Sequence, residues 1–207
     1  MGVVGSMAKI IPLISLPGSD LYINSTMVWS IFTIWTSLKQ MNLDYVIFYL
    51  LQNSPILDIC RQLLNATLYE TDMLALLSIL IKLSHDKQII MKMLELKYPV
   101  VLIKELGSFN PPVSLASAKI LVNCFSVDEE VDKEFVQVGI IQVIEGLFEK
   151  QKIKEYSKLC DSVTFMIGNL LCSSPWVFEH VCNSTIILKC VELLSQNHAD
   201  SVDPNLT

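Results

Sequence analysis

One block of this chain recurs at a fixed distance. Ile120-Leu121-Val122-Asn123 falls on Met166-Ile167-Gly168-Asn169 at an offset of 46 residues. The same offset carries Ile140-Ile141 onto Ile186-Ile187, and Leu147-Phe148 onto Leu193-Leu194. Three separated blocks agreeing on one offset point to a repeated unit rather than to chance. Ile79-Leu80-Ile81-Lys82 meets Ile120-Leu121-Val122-Asn123 at an offset of 41, and Val28-Trp29-Ser30-Ile31-Phe32-Thr33 reads as a still earlier copy. A unit of this length cannot bury its apolar face alone, so its copies must stack.

The unit is helical. Ile140, Val143, Ile144, Leu147 and Phe148 follow the i, i+3, i+4, i+7, i+8 stripe of an amphipathic helix, and Ile187, Cys190, Val191 and Leu194 repeat it. Hairpin signals are missing: the sequence has no Asn-Gly or Asp-Gly pair and few period-2 alternations. Breaks fall at Asn53-Ser54-Pro55, Phe109-Asn110-Pro111-Pro112 and Ser173-Ser174-Pro175. Proline there suits the first turn of a new helix. With 52% hydrophobic and 17% charged residues, the chain is no disordered polypeptide. The expected fold class is all-α, a right-handed α-solenoid occupying residues 1–196 as a single domain, with a polar tail over 197–207.

The segment from Glu129 to Asn169 resembles one armadillo repeat and the lead-in to another. A short first helix covers Glu130 to Val136. Val138-Gly139-Ile140-Ile141 is similar to the family's Gly-x-Ile turn into a second helix. Phe165-Met166-Ile167-Gly168-Asn169-Leu170-Leu171 resembles the third-helix ending of an aromatic, three residues, asparagine and an apolar pair. Near the start, Trp29 and Thr33 occupy the aromatic and asparagine places. The nearest resemblance is to importin-α-like armadillo proteins. Lys9 to Leu16 reads as a second helix, and the chain closes on another near Gln196. The phase therefore implies about three complete units between two partial ones. It reads as a fragment, splice form or divergent short member of a longer array, or as an array with atypical caps.

The resemblance implies protein or peptide binding along the concave face lined by third helices. In importin-α-like members, Trp and Asn ladders hold an extended peptide there. Carried over, the paired positions are Trp29 and Thr33, Ser78 and Lys82, Lys119 and Asn123, Phe165 and Asn169. Only Trp29 keeps the Trp, and only Asn123 and Asn169 keep the Asn. Residues four apart share one helix face. An amide can both donate to and accept from a peptide backbone, and an aromatic face attracts a cation. Asp161, Phe165 and Asn169, at i, i+4 and i+8, are the first candidate anchor. The bland alternative puts Phe165 in the core and spends Asn169 on a backbone group. Lys82 and Lys119 stand where a basic peptide would lie. At an effective dielectric near 20, a like charge about 4 Å away costs roughly 4 kcal/mol. The expected partner is a protein or extended peptide, with a basic one the first candidate. The other expectation is a scaffold that assembles, or self-associates, through its terminal repeats without binding peptide.

Several other functions are disfavoured. The net charge of −6 and the single arginine, Arg61, argue against a phosphate-backbone or other nucleic-acid binder. No H-E-x-x-H, G-x-S-x-G, G-x-x-x-x-G-K or G-x-G-x-x-G pattern exists, so no enzyme activity, metal or cofactor is expected. Leu21–Leu38 is uncharged but rich in Ser and Thr, too polar for a spanning helix. Ile10 to Ile14 is short and broken by Pro12, unlike a leader. Met1-Gly2 to Ser6 matches an acylation pattern common by chance. The six cysteines, Cys60, Cys124, Cys160, Cys172, Cys182 and Cys190, form no C-x-x-C and read as buried thiols of a cytoplasmic or nuclear protein. Four N-x-S/T sites, at Asn24, Asn65, Asn183 and Asn205, carry meaning only in a secreted chain. Trp35 and Trp176 are expected to pack. The acidic run Asp128-Glu129-Glu130-Asp132-Glu134 is expected to solvate a helix N-terminus.

Overall fold

The structure is a computed structural model, and it describes residues 21–41, 55–66, 68–125, 129–149 and 157–192. The helices read from Lys9 to Leu16 and near Gln196, and the tail over 197–207, lie outside the described residues. Among those residues the elements are helices: α1 (Leu21–Gln40), α2 (Ile56–Asn65), α3 (Glu70–Leu83), α4 (Lys87–Glu95), α5 (Tyr98–Leu106), α6 (Pro111–Cys124), α7 (Glu129–Gln137), α8 (Ile140–Glu149), α9 (Ser157–Leu171) and α10 (Pro175–Cys182). Further helical turns cover 186–192.

Local chemistry places the boundaries. Asp86, Asn110 and Ser174 cap α4, α6 and α10 by accepting from the N–H of Ile89, Val113 and Val177. Pro111 and Pro175 then open their helices, where the missing N–H costs nothing. Pro55 instead precedes α2 by one residue. Between α7 and α8 the chain turns at Gly139 with φ of 98°. An added Cβ there would meet the Gln142 side chain at 3.3 Å.

The helices form an all-α solenoid. α4, α5 and α6 make one three-helix unit, and α7, α8 and α9 the next. α2 and α3 supply a second and a third helix, α1 a third helix. α10 and 186–192 supply a first and a second. Third helices pack side by side in a continuous layer, α1 on α3, α3 on α6 and α6 on α9. Leu76, Leu80, Ile120, Leu121, Met166 and Leu170 are buried along it.

Polar staples cross each junction at about one repeat's separation. Tyr98 donates its hydroxyl to the Leu57 carbonyl at 2.6 Å, tying α5 to α2. Asn123 donates to Ser84 Oγ at 2.9 Å and, more weakly, to the Ile81 carbonyl at 3.4 Å. Glu145 accepts from the N–H and hydroxyl of Thr185, each at 2.8 Å. Ser173 donates to Asp132. Asp132 is buried, so one member of the acidic run does not solvate the helix start as expected. It is an internal acceptor, and its neighbours Glu129 and Glu130 pair with Lys133.

No helix among the described residues is long and apolar enough to cross a membrane. Of the cysteines, Cys60 and Cys124 are buried, Cys160 and Cys190 half-buried, and Cys172 and Cys182 exposed. The two exposed ones overturn the expectation of uniformly buried thiols: each follows the last buried turn of its helix.

Two predictions follow from this architecture. Gly139→Ala forces an L-residue into the left-handed region, which costs roughly 1–2 kcal/mol; chemical denaturation should show the midpoint fall. Thr185 holds the Glu145 carboxyl below its usual value of 4.5, chiefly through the backbone N–H and then the hydroxyl. A lowered folded-state value gives stability that is present above the ordinary carboxylate range and lost as pH falls through the folded value. Hydrogen-exchange protection at Thr185 to Lys189 should drop on acidification below that range, and Glu145→Gln should abolish this pH dependence.

Candidate functional site

The third-helix layer leaves one row of side chains uncovered on each helix. On α9, Asp161 and Phe165 are exposed and Asn169 is half-buried. Phe165 is 62% exposed, so it does not belong to the core. Its helix buries Leu159, Val163, Met166 and Leu170 instead, which turns 161, 165 and 169 outward together. Among the described residues, Asp161 and Asn169 side chains make no hydrogen bond or ion pair. The three groups therefore present a carboxylate, an aromatic face and an amide on one stripe.

Asn123 behaves differently from Asn169. It spends its amide hydrogens on Ser84 and Ile81, stapling α6 to the end of α3. Only its carbonyl oxygen remains to accept from a ligand. Lys119, one turn earlier, is exposed, as is Lys82 in the last turn of α3.

Trp29 and Thr33 sit at a different level from the other pairs. α1 ends at Gln40 and α3 at Leu83, an offset of 43. The Trp29 indole N–H donates to Asp72 Oδ1 at 2.8 Å across the same 43 residues. That register sets Trp35 and Lys39, rather than Trp29 and Thr33, level with Ser78 and Lys82. Trp35 is buried, with Lys39 Nζ 5.8 Å from its ring centre. Thr33 donates its hydroxyl back to the Trp29 carbonyl at 2.7 Å. Trp29 remains 45% exposed, and Asp72 is buried beneath it with Oδ2 unpartnered. The carboxylate fixes the indole edge, and Phe32 meets the ring edge-to-face at 5.5 Å. The ring is thus a positioned aromatic platform, displaced along the helix from the Phe165 stripe.

Sequence reading missed two features here. Trp176 is exposed, its ring centre 3.9 Å from that of His180, against the expectation that it packs. The Trp29–Asp72 pair carried no short-range signal, since its partners lie on different repeats.

Charge is distributed unevenly. On and beside the first and second helices four lysines are compensated, Lys92 by Glu95, Lys97 by Glu134, Lys104 by Glu105 and Lys133 by Glu129 and Glu130, while Lys87 has no ion pair among the described residues. A groove between α4 and α7, lined by Met91, Leu94 and Val138, also takes in the Lys97–Glu134 and Lys133–Glu130 pairs. On the third helices, Lys82 and Lys119 have no acidic partner among the described residues. No cluster of His, Cys, Asp and Glu suited to a metal ion occurs among the described residues.

No protein-family model matches the sequence, and no curated protein matches it. Solved structures match in shape. A designed armadillo repeat protein in complex with the peptide (KR)4 superposes with a TM-score of 0.69 at 14% identity, over 95% of this chain and 75% of its own. Computationally designed armadillo repeat proteins for modular peptide recognition give 0.70 at 13% identity, over 92% and 75%. An engineered protein gives 0.68 at 17% identity, over 98% and 74%.

Burial raises the Cys60 and Cys124 thiols to about 12. Both are thiols at neutral pH, and the thiolate is the nucleophile. Iodoacetamide should therefore alkylate Cys172 and Cys182 in the native protein within minutes to hours and spare Cys60 and Cys124 until unfolding, as peptide mass mapping would show. In its fold, the chain is an armadillo repeat solenoid.

Proposed function

We propose that this chain is a peptide-binding module that holds an extended segment of a partner protein along the concave face of its third helices. The observation that carries this reading is the α9 stripe, where a 62% exposed phenylalanine stands between an unengaged carboxylate and an unengaged amide. An exposed aromatic side chain on a rigid helix is the usual anchor of a protein interface. The shared fold with a designed armadillo repeat protein in complex with the peptide (KR)4 supports peptide binding. The role is that of an adaptor in the cytoplasm or nucleus. A narrower transport-receptor role asks for a basic peptide along the whole face, and Lys82 and Lys119 oppose it.

A peptide display library selected on the protein tests the reading. Selected peptides should lose at least tenfold in affinity, about 1.4 kcal/mol, on the Phe165→Ala/Asn169→Ala double variant. Its stability should stay within about 0.5 kcal/mol of the parent, since Phe165 is exposed and the Asn169 side chain makes no hydrogen bond among the described residues. Failure to select any peptide that senses the double variant would sink the proposal.

A second reading rests on α10. Val131, Asp132, Phe135 and Val136 of α7 are all buried, and the offset of 46 places Val177, Phe178, Val181 and Cys182 on them. Val177 and Val181 are buried, whereas Phe178 is 49% exposed and Cys182 is exposed. α7 buries this half of the quartet against its neighbours. Assembly through that face is the scaffold alternative. Concentration-dependent association abolished by Phe178→Asp, with no peptide selected, would favour it.

A further inference from the structure

We infer that the groove selects a peptide of mixed charge, with acidic side chains against α3 and α6 and a basic side chain against α9. The inference rests on the proposed peptide-binding reading and adds the chemistry of the ligand. Lys82 and Lys119 are exposed in neighbouring third helices that pack side by side. Neither meets an acidic side chain among the described residues, although the chain as a whole carries a net charge of −6. Five glutamates, Glu95, Glu105, Glu129, Glu130 and Glu134, lie on the first and second helices and pair with Lys92, Lys104, Lys133 and Lys97. α6 contains no acidic residue at all, and α3 has acids only in its first turn. Lys82 lies at the other end of α3, about 15 Å from that turn at 1.5 Å per residue. The middle of the third-helix layer is therefore locally cationic.

α9 carries both signs. Asp161 stands one turn from Phe165 on the exposed stripe, with no ion pair among the described residues, and Lys158 lies one turn farther from the ring. A lysine or arginine stem laid on the Phe165 face would bring its charge toward Asp161, combining a cation–π contact with a carboxylate. Packed helices lie 8–10 Å apart, and side chains on one face of an extended chain recur every second residue, about 6.6 Å apart. Alternate residues therefore come nearest to meeting successive third helices. The pattern that fits is acid, one residue, acid, one residue, base. The Asn123 carbonyl oxygen can accept from the peptide backbone between the second and third of these.

Fluorescence anisotropy with three labelled peptides of one length tests this. One carries the acid–acid–base pattern, one carries bases at all three places, and one carries acids at all three. At physiological salt the mixed peptide should bind at least tenfold tighter than either of the others. Lys82→Glu/Lys119→Glu should move the preference to the all-basic peptide. Asp161→Lys should move it to the all-acidic one. These side chains are exposed, and an unchanged helical circular dichroism signal keeps a loss of binding distinct from unfolding. Equal binding of the three peptides, or preferences that ignore both charge reversals, would overturn the inference. So would a single-stranded oligonucleotide that competes as well as the mixed peptide, because it would show a generic polyanion surface. If library-selected peptides sense Phe165 and Asn169 but show no such charge order, this inference falls and the peptide-binding reading stands. If no peptide senses them, both fall.

Discussion

Everything in this fold depends on one constraint: a third helix buries its apolar face only when another third helix lies beside it. α6 shows this most plainly. Val113, Ala118, Ile120, Leu121 and Cys124 are all buried, and the helix is flanked by α3 on one side and α9 on the other. A single unit would leave much of that surface in water, at about 25 cal/mol per Å². Apolar contact is not directional, however, and could be satisfied in more than one register. The staples supply the register. Asn123 to Ser84, Ser173 to Asp132 and Thr185 to Glu145 join residues 39, 41 and 40 apart. Each is a polar group that loses its partner if a junction slips by a turn, which costs more than the bond itself contributes.

The staples also decide which side chains are left for a ligand. Asn123 and Asn169 occupy equivalent places in the repeat, yet the first ties two helices together and the second faces outward. Asn123 finds the end of α3, with Ser84 just past its last turn. Beyond Asn169 the chain turns at Ser173 and Ser174 into α10, and Ser173 finds Asp132 instead. The junction is held by a different pair, and Asn169 is released.

This explains what could be read from the sequence and what could not. Helix periodicity, the proline-opened helix starts at Pro111 and Pro175 and the glycine turn at Gly139 are local signals, set within a few residues. They are legible in the sequence and present in the structure. The register of α1 is not local. Its sequence contains a tryptophan followed four later by a polar residue twice, at Trp29 and Thr33 and at Trp35 and Lys39. Only the Asp72 contact, 43 residues away, distinguishes the two. The same holds for the acidic run, in which Asp132 reads like its solvated neighbours until α10 is brought against it. The Phe165 stripe lies between these cases: its spacing was legible, but its exposure depended on which face of α9 met α6.

Net charge is a whole-chain quantity, and it does not describe the third-helix layer. The net charge is −6, yet Glu95, Glu105, Glu129, Glu130 and Glu134 on α4, α5 and α7 are already paired with lysines. Screening over about 8–10 Å at moderate salt means a bound peptide feels the side chains nearest to it and little of the rest. On the third-helix layer those include Lys82 and Lys119 in the middle and Lys158 and Asp161 at one end. For a peptide laid there, as proposed, the order of charges along the layer matters more than the net charge of the molecule.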